Sequence, residues 1–357
     1  MRIFLDIGHP AHVHYFKNFI RIMENKGHIF FITARNKEMT HYLLQINGIE
    51  YKNRGKGGTG LISKFLYLIR TNILIYYYAI IFNPDIFLSF SSPYVAQVSW
   101  IVRKPHISFT DTEHATLGNL AVVPFSRAVC TPACFTADLG KKQIHFDSYM
   151  ELTYLHKNYF TANSSALDFL DISDNEKYVI IRFVSWTATH DIGHTGISLQ
   201  NKIKAIKEFS NYAKVFISSE LKLPDQLEKF RINIPYEKMH DVLNYASLIF
   251  GESATMASEC AVLGTPAIFI DNNGRGYTDE QEKLYSLVYN FSESTIDQEK
   301  SIQKGIEILK GEDIKEKWHN RRETMLKDKI DPTAFMVWFI KNYPQSFDKM
   351  KNNLKYY

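Results

Sequence analysis

The sequence predicts an α/β protein of two βαβ domains lying side by side and facing a cleft. Three observations carry this reading. At 357 residues the chain exceeds what one hydrophobic core ordinarily organises. Short continuous apolar runs alternate with helical patterns in two series, one in the first half and one after residue 175, as parallel sheets covered on both faces require. Between the series, "YLHKNYFTANSSALDFLDISDNEK" is polar and aperiodic.

The first strand is "RIFLDI", and the helical pattern "VHYFKNFIRIMENKG" follows it, with Gly27 placed as a C-cap. "HIFFITA" is the next strand and "KEMTHYLLQING" the next helix, closed by Gly48. An apolar helix over 61–82, the strand "DIFLSF", the helix "PYVAQVSWIVRK" and the strands "HISFTD" and "RAVCTP" complete the series. The later strands are "YVIIRFV", "KVFISS", "SLIFGE", "AIFID" and "LVYNF". A last helix starts at Asp331, with Pro332 in its first turn, and runs into a basic, aromatic tail. The domains read as 1–160, a linker over 161–176, a second domain over 177–330, and a C-terminal helix and tail over 331–357.

The composition narrows the function. A net charge of +4 is small for this length and gives no ground for nucleic-acid binding. Cys130, Cys134 and Cys260 lack both the redox spacing and the second pair of a zinc site, so they read as small buried side chains. The chain opens on a strand without the pattern of a secretory signal, which suggests a cytoplasmic protein. "FLYLIRTNILIYYYAIIF" (65–82) is interrupted by Arg70 and Asn72 and is expected to be a buried helix. Its sharper alternative is a Tyr-rich surface resting on the inner face of a membrane.

Open parallel sheets bind ligands beyond the carboxyl ends of their strands, so the loops after strands are the places to search. "DIGHPAHVHYF" gathers Asp6, Gly8, His9, His12 and His14 within nine residues. The spacing does not give two histidines on one helix face for a metal, and it suits a general base beside structural histidines. "RGKGGTG" (54–60) lacks the order of a phosphate loop and reads as a mobile basic loop. "SFSSPYVAQ" is a capped helix start, and "SFTDTEHATLGN" places Asp111 and Glu113 beside His114 at a strand end. In the second half, Arg182 sits within an apolar strand and asks for an anionic partner, which a structural carboxylate would equally supply. Ser185, His190, Asp191 and His194 follow in one long loop, and Glu220 ends the next strand.

"GESATMASECAVLG" (251–264) is the most suggestive stretch. Ser253, Ala254 and Thr255 open a helix whose free N–H groups and dipole favour a phosphate, and their small size admits close approach. Glu259 lies one turn further in, where a carboxylate accepts ribose hydroxyls.

The strings "DIGHPAHVHYFKNFI", "YMELTYLHKNYF", "RFVSWTATHDIGHTGIS" and "SATMASECAVLGTPAIFID" resemble domain-of-unknown-function family 354. That family is similar to the GT-B superfamily, which includes nonhydrolysing UDP-N-acetylglucosamine 2-epimerases and the lipid II glycosyltransferase. The resemblance implies two Rossmann-like domains facing a cleft, the second binding UDP, with the diphosphate at Ser253, Ala254 and Thr255 and the ribose at Glu259. It aligns Glu113 with a functional Glu of the epimerases, and the loop of Ser185 and His190 with their His-Arg-Arg-Glu run. "SWTATHD" does not reproduce that run, and no Pro-Glu-Glu follows "TDTEHA", so the epimerase set is incomplete here.

The leading expectation is a GT-B glycosyltransferase using a UDP sugar in polysaccharide or glycoconjugate assembly. Ser253, Ala254, Thr255, Glu259, Arg182 and Ser185 would hold the donor. His12, His9 or Glu113 would serve a sugar or lipid-linked acceptor, with Gly8, Asp111, His190 and Glu220 nearby. No metal or other cofactor is expected. The alternatives are a nucleotide-sugar epimerase or hydrolase, and a nonenzymatic nucleotide-sugar-binding subunit.

Overall fold

Strands that are apolar throughout need helices above and below them, and the computed structural model of the chain shows that arrangement twice. The structure describes residues 1–58, 60–173, 176–184, 195–219 and 222–353. It divides into two compact units, Met1–Tyr154 with Ile330–Tyr357, and Leu155–Lys329.

The first unit begins with β1 (Arg2–Ile7), α1 (Pro10–Glu24), β2 (Ile29–Ala34), α2 (Thr40–Ile46), β3 (Lys52–Asn53) and α3 (Leu61–Phe82). It continues with β4 (Ile86–Phe90), α4 (Pro93–Ile101), β5 (His106–Phe109), α5 (Thr116–Val122), β6 (Ala128–Pro132), β7 (Gln143–Phe146) and, across the boundary, α6 (Leu152–Leu155). Its sheet is parallel, in the order β3-β2-β1-β4-β5-β6-β7. The chain steps outward from β1 to β3, then returns through α3 to build the other half. Right-handed crossovers therefore put α1 and α2 on one face and α3, α4 and α5 on the other. Phe4 and Phe87 pack there against Ile75, Ala79 and Phe82 of α3 and Val95 and Val98 of α4.

The second unit runs β8 (Tyr178–Phe183), α7 (Leu199–Phe209), β9 (Lys214–Ser219), α8 (Asp225–Glu228), α9 (Met239–Tyr245) and β10 (Leu248–Gly251). Then follow α10 (Ala254–Leu263), β11 (Ala267–Ile270), α11 (Gly276–Lys283), β12 (Val288–Phe291), α12 (Thr295–Lys310) and α13 (Ile314–Asp328). Its parallel sheet has the order β12-β11-β10-β8-β9. Each sheet thus has one point where consecutive connections leave in opposite directions: β1/β4 in the first unit and β8/β10 in the second.

Three differences from the sequence reading have physical causes. Residues 161–176 are not a free linker, because Ala166, Leu167 and Leu170 of a 3-10 helix over Ser164–Leu170 are buried within the second unit. The last helices, α14 (Pro332–Lys341) and α15 (Gln345–Asn352), belong to the first unit. Ile330 N donates to Asp147 O (3.0 Å), Thr333 Oγ1 donates to Thr153 O (2.9 Å), and Phe335 stacks on Phe146. Finally, α3 is not a buried helix. Only the row Tyr67, Thr71, Ile75, Ala79 and Phe82 is buried, because a single sheet face covers it.

His106 ties the β4–α4 turn into this framework. Its ring nitrogens bond Ser89 Oγ and Ser126 Oγ, each at 2.9 Å, and Ser89 Oγ accepts from Ser92 N at 3.1 Å. Burial pushes the imidazole from 6.5 down to about 3. The unfolded chain therefore binds a proton that the folded chain refuses, and stability falls as pH drops below 6.5 toward the folded value. Urea denaturation should show a loss of about 2 kcal/mol from this group between pH 7 and 5. A flat profile over that range would contradict a buried neutral His106.

Candidate functional site

Crevices form beyond the carboxyl ends of parallel strands where the order of connections reverses. Both reversal points of this chain gather polar groups.

At β1/β4, Asp6 is wholly buried. Thr33 Oγ1 and Arg54 Nε donate to its Oδ1 at 2.8 and 2.7 Å, and Ser92 Oγ and Arg54 Nη2 donate to its Oδ2 at 2.6 and 3.1 Å. Arg54 Nη1 also donates to Tyr67 Oη (2.5 Å), and the guanidinium lies 4.8 Å from the centre of the Tyr94 ring. Burial opposes the Arg54 charge, but Asp6 and the two tyrosines hold its proton more tightly than usual. Sequence reading took Arg54 as the first residue of a mobile basic loop. It is instead a buried anchor, and its hydrogen-bond partners Asp6 and Tyr67 lie 48 and 13 positions away in sequence. Ser91, beside Ser92, has a φ of 47°, an unusual conformation for a residue with a Cβ and one that concentrates at functional turns.

The histidines after β1 have distinct places. His9 is the N-cap of α1, its Nδ1 accepting from Ala11 N (3.2 Å). His12 Nδ1 accepts from Gly8 N (3.2 Å), and the His12 ring packs on Phe90. Burial, then the charges of His9, Lys37 and Arg54, hold the His12 proton affinity well below that of an ordinary histidine. His12 is therefore neutral at pH 7, and with Nδ1 accepting, the ring proton sits on Nε2. A Cβ at Gly8 would make only ordinary contacts, 3.5 Å to Arg54 Nη2 and 3.6 Å to His12 Cε1, so space does not require glycine there. Asp111 and Glu113 sit buried beyond β5, the strand next to β4, and Thr112 Oγ1 donates to Asp111 Oδ1 (3.0 Å).

At β8/β10, the strands approach so closely that a Cβ on Gly251 would lie 2.1 Å from the Arg182 carbonyl oxygen. Glycine is required there by contact. Ser253 caps α10, its Oγ accepting from Met256 N (3.3 Å). Ser253, Ala254 and Thr255 are half-exposed, whereas every residue from Met256 to Leu263 is buried. The N–H groups of Ala254 and Thr255 have no helical carbonyl to reach and point out of the helix start. Glu259 is buried, and its Oε1 bonds His240 Nε2 of α9 at 2.9 Å. Arg182 Nη1 donates to Ser218 Oγ (2.9 Å).

Glu252 has a different task from its neighbours. Its Oε2 accepts from Val184 N (3.0 Å), its Oε1 accepts from Ile197 N (2.6 Å), and Lys202 Nζ lies 3.3 Å from Oε1. One buried carboxylate thereby fixes both ends of the loop after β8. Glu293 adds a second clamp, accepting from Thr195 N (2.7 Å) and Gly196 N (2.8 Å). Ser185, His190 and Glu220 lie outside the described residues, as do Asp191 and His194. Among the described residues, no three His, Cys, Asp or Glu side chains form a metal-binding cluster.

Two parallel Rossmann-like sheets with these strand orders define a GT-B fold. The chain belongs to DUF354, a family described as proteins of unknown function, whose model matches residues 1–280. A relative, the uncharacterized protein MJ0665 of Methanocaldococcus jannaschii, is 24% identical over 279 residues, 74% of this chain and 80% of that one. Among solved structures, S. aureus MnaA in complex with UDP has a TM-score of 0.70 at 11% identity, with 97% of each chain covered. UDP-GlcNAc 2-epimerase from Neisseria meningitidis, bound to UDP-GlcNAc, has a TM-score of 0.69 at 14% identity, covering 96% of this chain and 100% of that one. MurG of Acinetobacter baumannii has a TM-score of 0.60 at 12% identity, covering 95% and 99%. At these identities the likeness establishes the fold.

The Asp6–Arg54 pair gives a direct test of the first site. Removing one member leaves the other charged and buried, so Arg54→Met should cost about 3–5 kcal/mol in urea denaturation. The double variant Asp6→Asn with Arg54→Met should lose clearly less than the sum of the single losses. Additive losses would show that the two side chains do not depend on each other.

Proposed function

We propose that the protein is a glycosyltransferase that takes a sugar from a UDP-linked donor bound on the second unit. The observation that carries this reading is the start of α10. It sits at the β8/β10 reversal point, behind a glycine that no other residue can replace, with a satisfied cap and two outward N–H groups on small, half-exposed residues. Such a helix start receives a diphosphate through backbone N–H groups and the helix dipole. Glu259, oriented by His240, takes the ribose hydroxyls in this reading, and Arg182 borders the phosphates. Solved proteins of the same fold hold UDP or UDP-GlcNAc, which supports the ligand class.

The first unit holds the acceptor, a sugar or a lipid-linked sugar. Its base is Glu113. His9 and His12 both accept a backbone N–H at Nδ1 and so offer Nε2–H donors, which suits them to bind a substrate oxygen rather than to take its proton. The leaving UDP is stabilised by the helix dipole and Arg182, without a divalent metal.

The epimerase reading draws on the same fold, because UDP-GlcNAc 2-epimerases share it. Product analysis separates the readings. A transferase releases UDP from the donor only when acceptor is present, an epimerase or hydrolase converts the donor alone, and a binding subunit converts nothing. Calorimetry should show UDP binding that is unchanged by EDTA and at least about tenfold weaker in Glu259→Ala. Glu113→Gln should lower turnover about a hundredfold while sparing UDP affinity. Undiminished UDP affinity in Glu259→Ala would remove Glu259 from the site.

A further inference from the structure

α3 is long and apolar enough to cross a membrane by length and composition, yet it is fixed on the sheet of the first unit along one row of side chains. The other rows face solvent. Phe65, Ile69, Ile73, Tyr77 and Ile81, spaced four apart, form one exposed stripe, and Ile73 alone is 65% exposed. α4 packs beside α3, and α5 packs beside α4. They extend the face with Trp100 and Leu117, which are 64% and 74% exposed. Altogether 13 of the 22 large hydrophobic side chains that stay exposed among the described residues belong to these three helices. Scattered apolar side chains need no explanation, but a contiguous face of this kind marks a binding surface.

Its charge says what it binds. Residues 51–110 contain seven Lys and Arg and a single acidic residue, Asp85. Asp85 already accepts a hydrogen bond from Arg2 N (2.7 Å). Lys56, Lys64, Arg70 and Arg103 are exposed around the apolar stripe, while the acidic side chains just beyond β5, Asp111 and Glu113, are buried. A second copy docked by twofold symmetry would set these same cations against one another. Tyr and Trp at the margin of an apolar face, with long basic side chains reaching outward, instead match a lipid headgroup boundary.

We infer that the α3–α4–α5 face of the first unit rests on an anionic lipid bilayer, its apolar stripe entering the headgroup boundary and its basic residues meeting lipid phosphates. The inference does not depend on the nucleotide reading. Flotation of the purified full-length protein tests it, using vesicles of phosphatidylcholine alone or with added phosphatidylglycerol. The protein should float with the anionic vesicles and be released by salt. Ile73→Glu with Tyr77→Glu should reduce the bound fraction about tenfold, and Lys64→Glu with Arg70→Glu should erase the preference for phosphatidylglycerol. Because these positions are exposed, all variants should keep the parent thermal midpoint, which separates lost binding from lost folding. No flotation with either vesicle, or flotation indifferent to the glutamates, would overturn the inference. A concentration-dependent dimer that Ile73→Glu dissolves, without vesicle binding, would assign the face to a second copy and overturn it equally.

Discussion

A carboxylate inside a protein must be matched by donors, and this requirement organises both reversal points of the fold. Asp6 is surrounded by donors from β2, from the residue after β3 and from the turn before α4, so those segments are held at one place on the sheet. Glu252 does the same in the second unit, closing the loop after β8 onto the start of α10. Neither carboxylate is spare for ligand chemistry. They fix the neighbours that are.

What each of them holds in place differs in kind. In the first unit the fixed frame presents imidazole N–H groups and a buried Glu113. In the second it presents a helix start with unclaimed backbone N–H groups and small side chains. The proposed function assigns them different work: anion recognition to backbone dipoles of the second unit and proton handling to Glu113 of the first. The apolar, basic outer face of α3, α4 and α5 lies on the opposite layer of the first sheet from α1, and it would bring a protein with a lipid-linked acceptor to its substrate.

The parts legible in the sequence are local. The cap at Ser253, the glycine before it and the alternation of strands and helices are written within a few residues of one another, and the parallel sheets follow from apolar runs. What the sequence hid depends on distance along the chain. Arg54 belongs with Asp6, 48 positions away, and in isolation it is only a basic residue next to a glycine-rich loop. The return of α14 to the first unit is equally nonlocal, because its apolar face would suit either unit. Glu252 stands beside Ser253 and Thr255 in the sequence, whereas its partners are backbone N–H groups 55 and 68 positions earlier. α3 was misjudged for a different reason. Hydrophobicity all round a helix signals burial in most soluble proteins, and only the sheet topology reveals that one side has no protein layer to cover it. β3 escaped because two residues carry too little pattern, and β7 because QIHF alternates polar and apolar residues and makes no continuous apolar run.

The central claim is that the start of α10 binds a nucleotide diphosphate. Hydrogen exchange of the intact protein, with and without saturating UDP, tests it most directly, because the N–H groups of Ala254 and Thr255 have no helical partner and exchange freely until a ligand accepts them. Slowed exchange centred on residues 253–257 and on the loop ends near 195–198 is the predicted result. Unchanged exchange there, or protection confined to the first unit, would contradict the account.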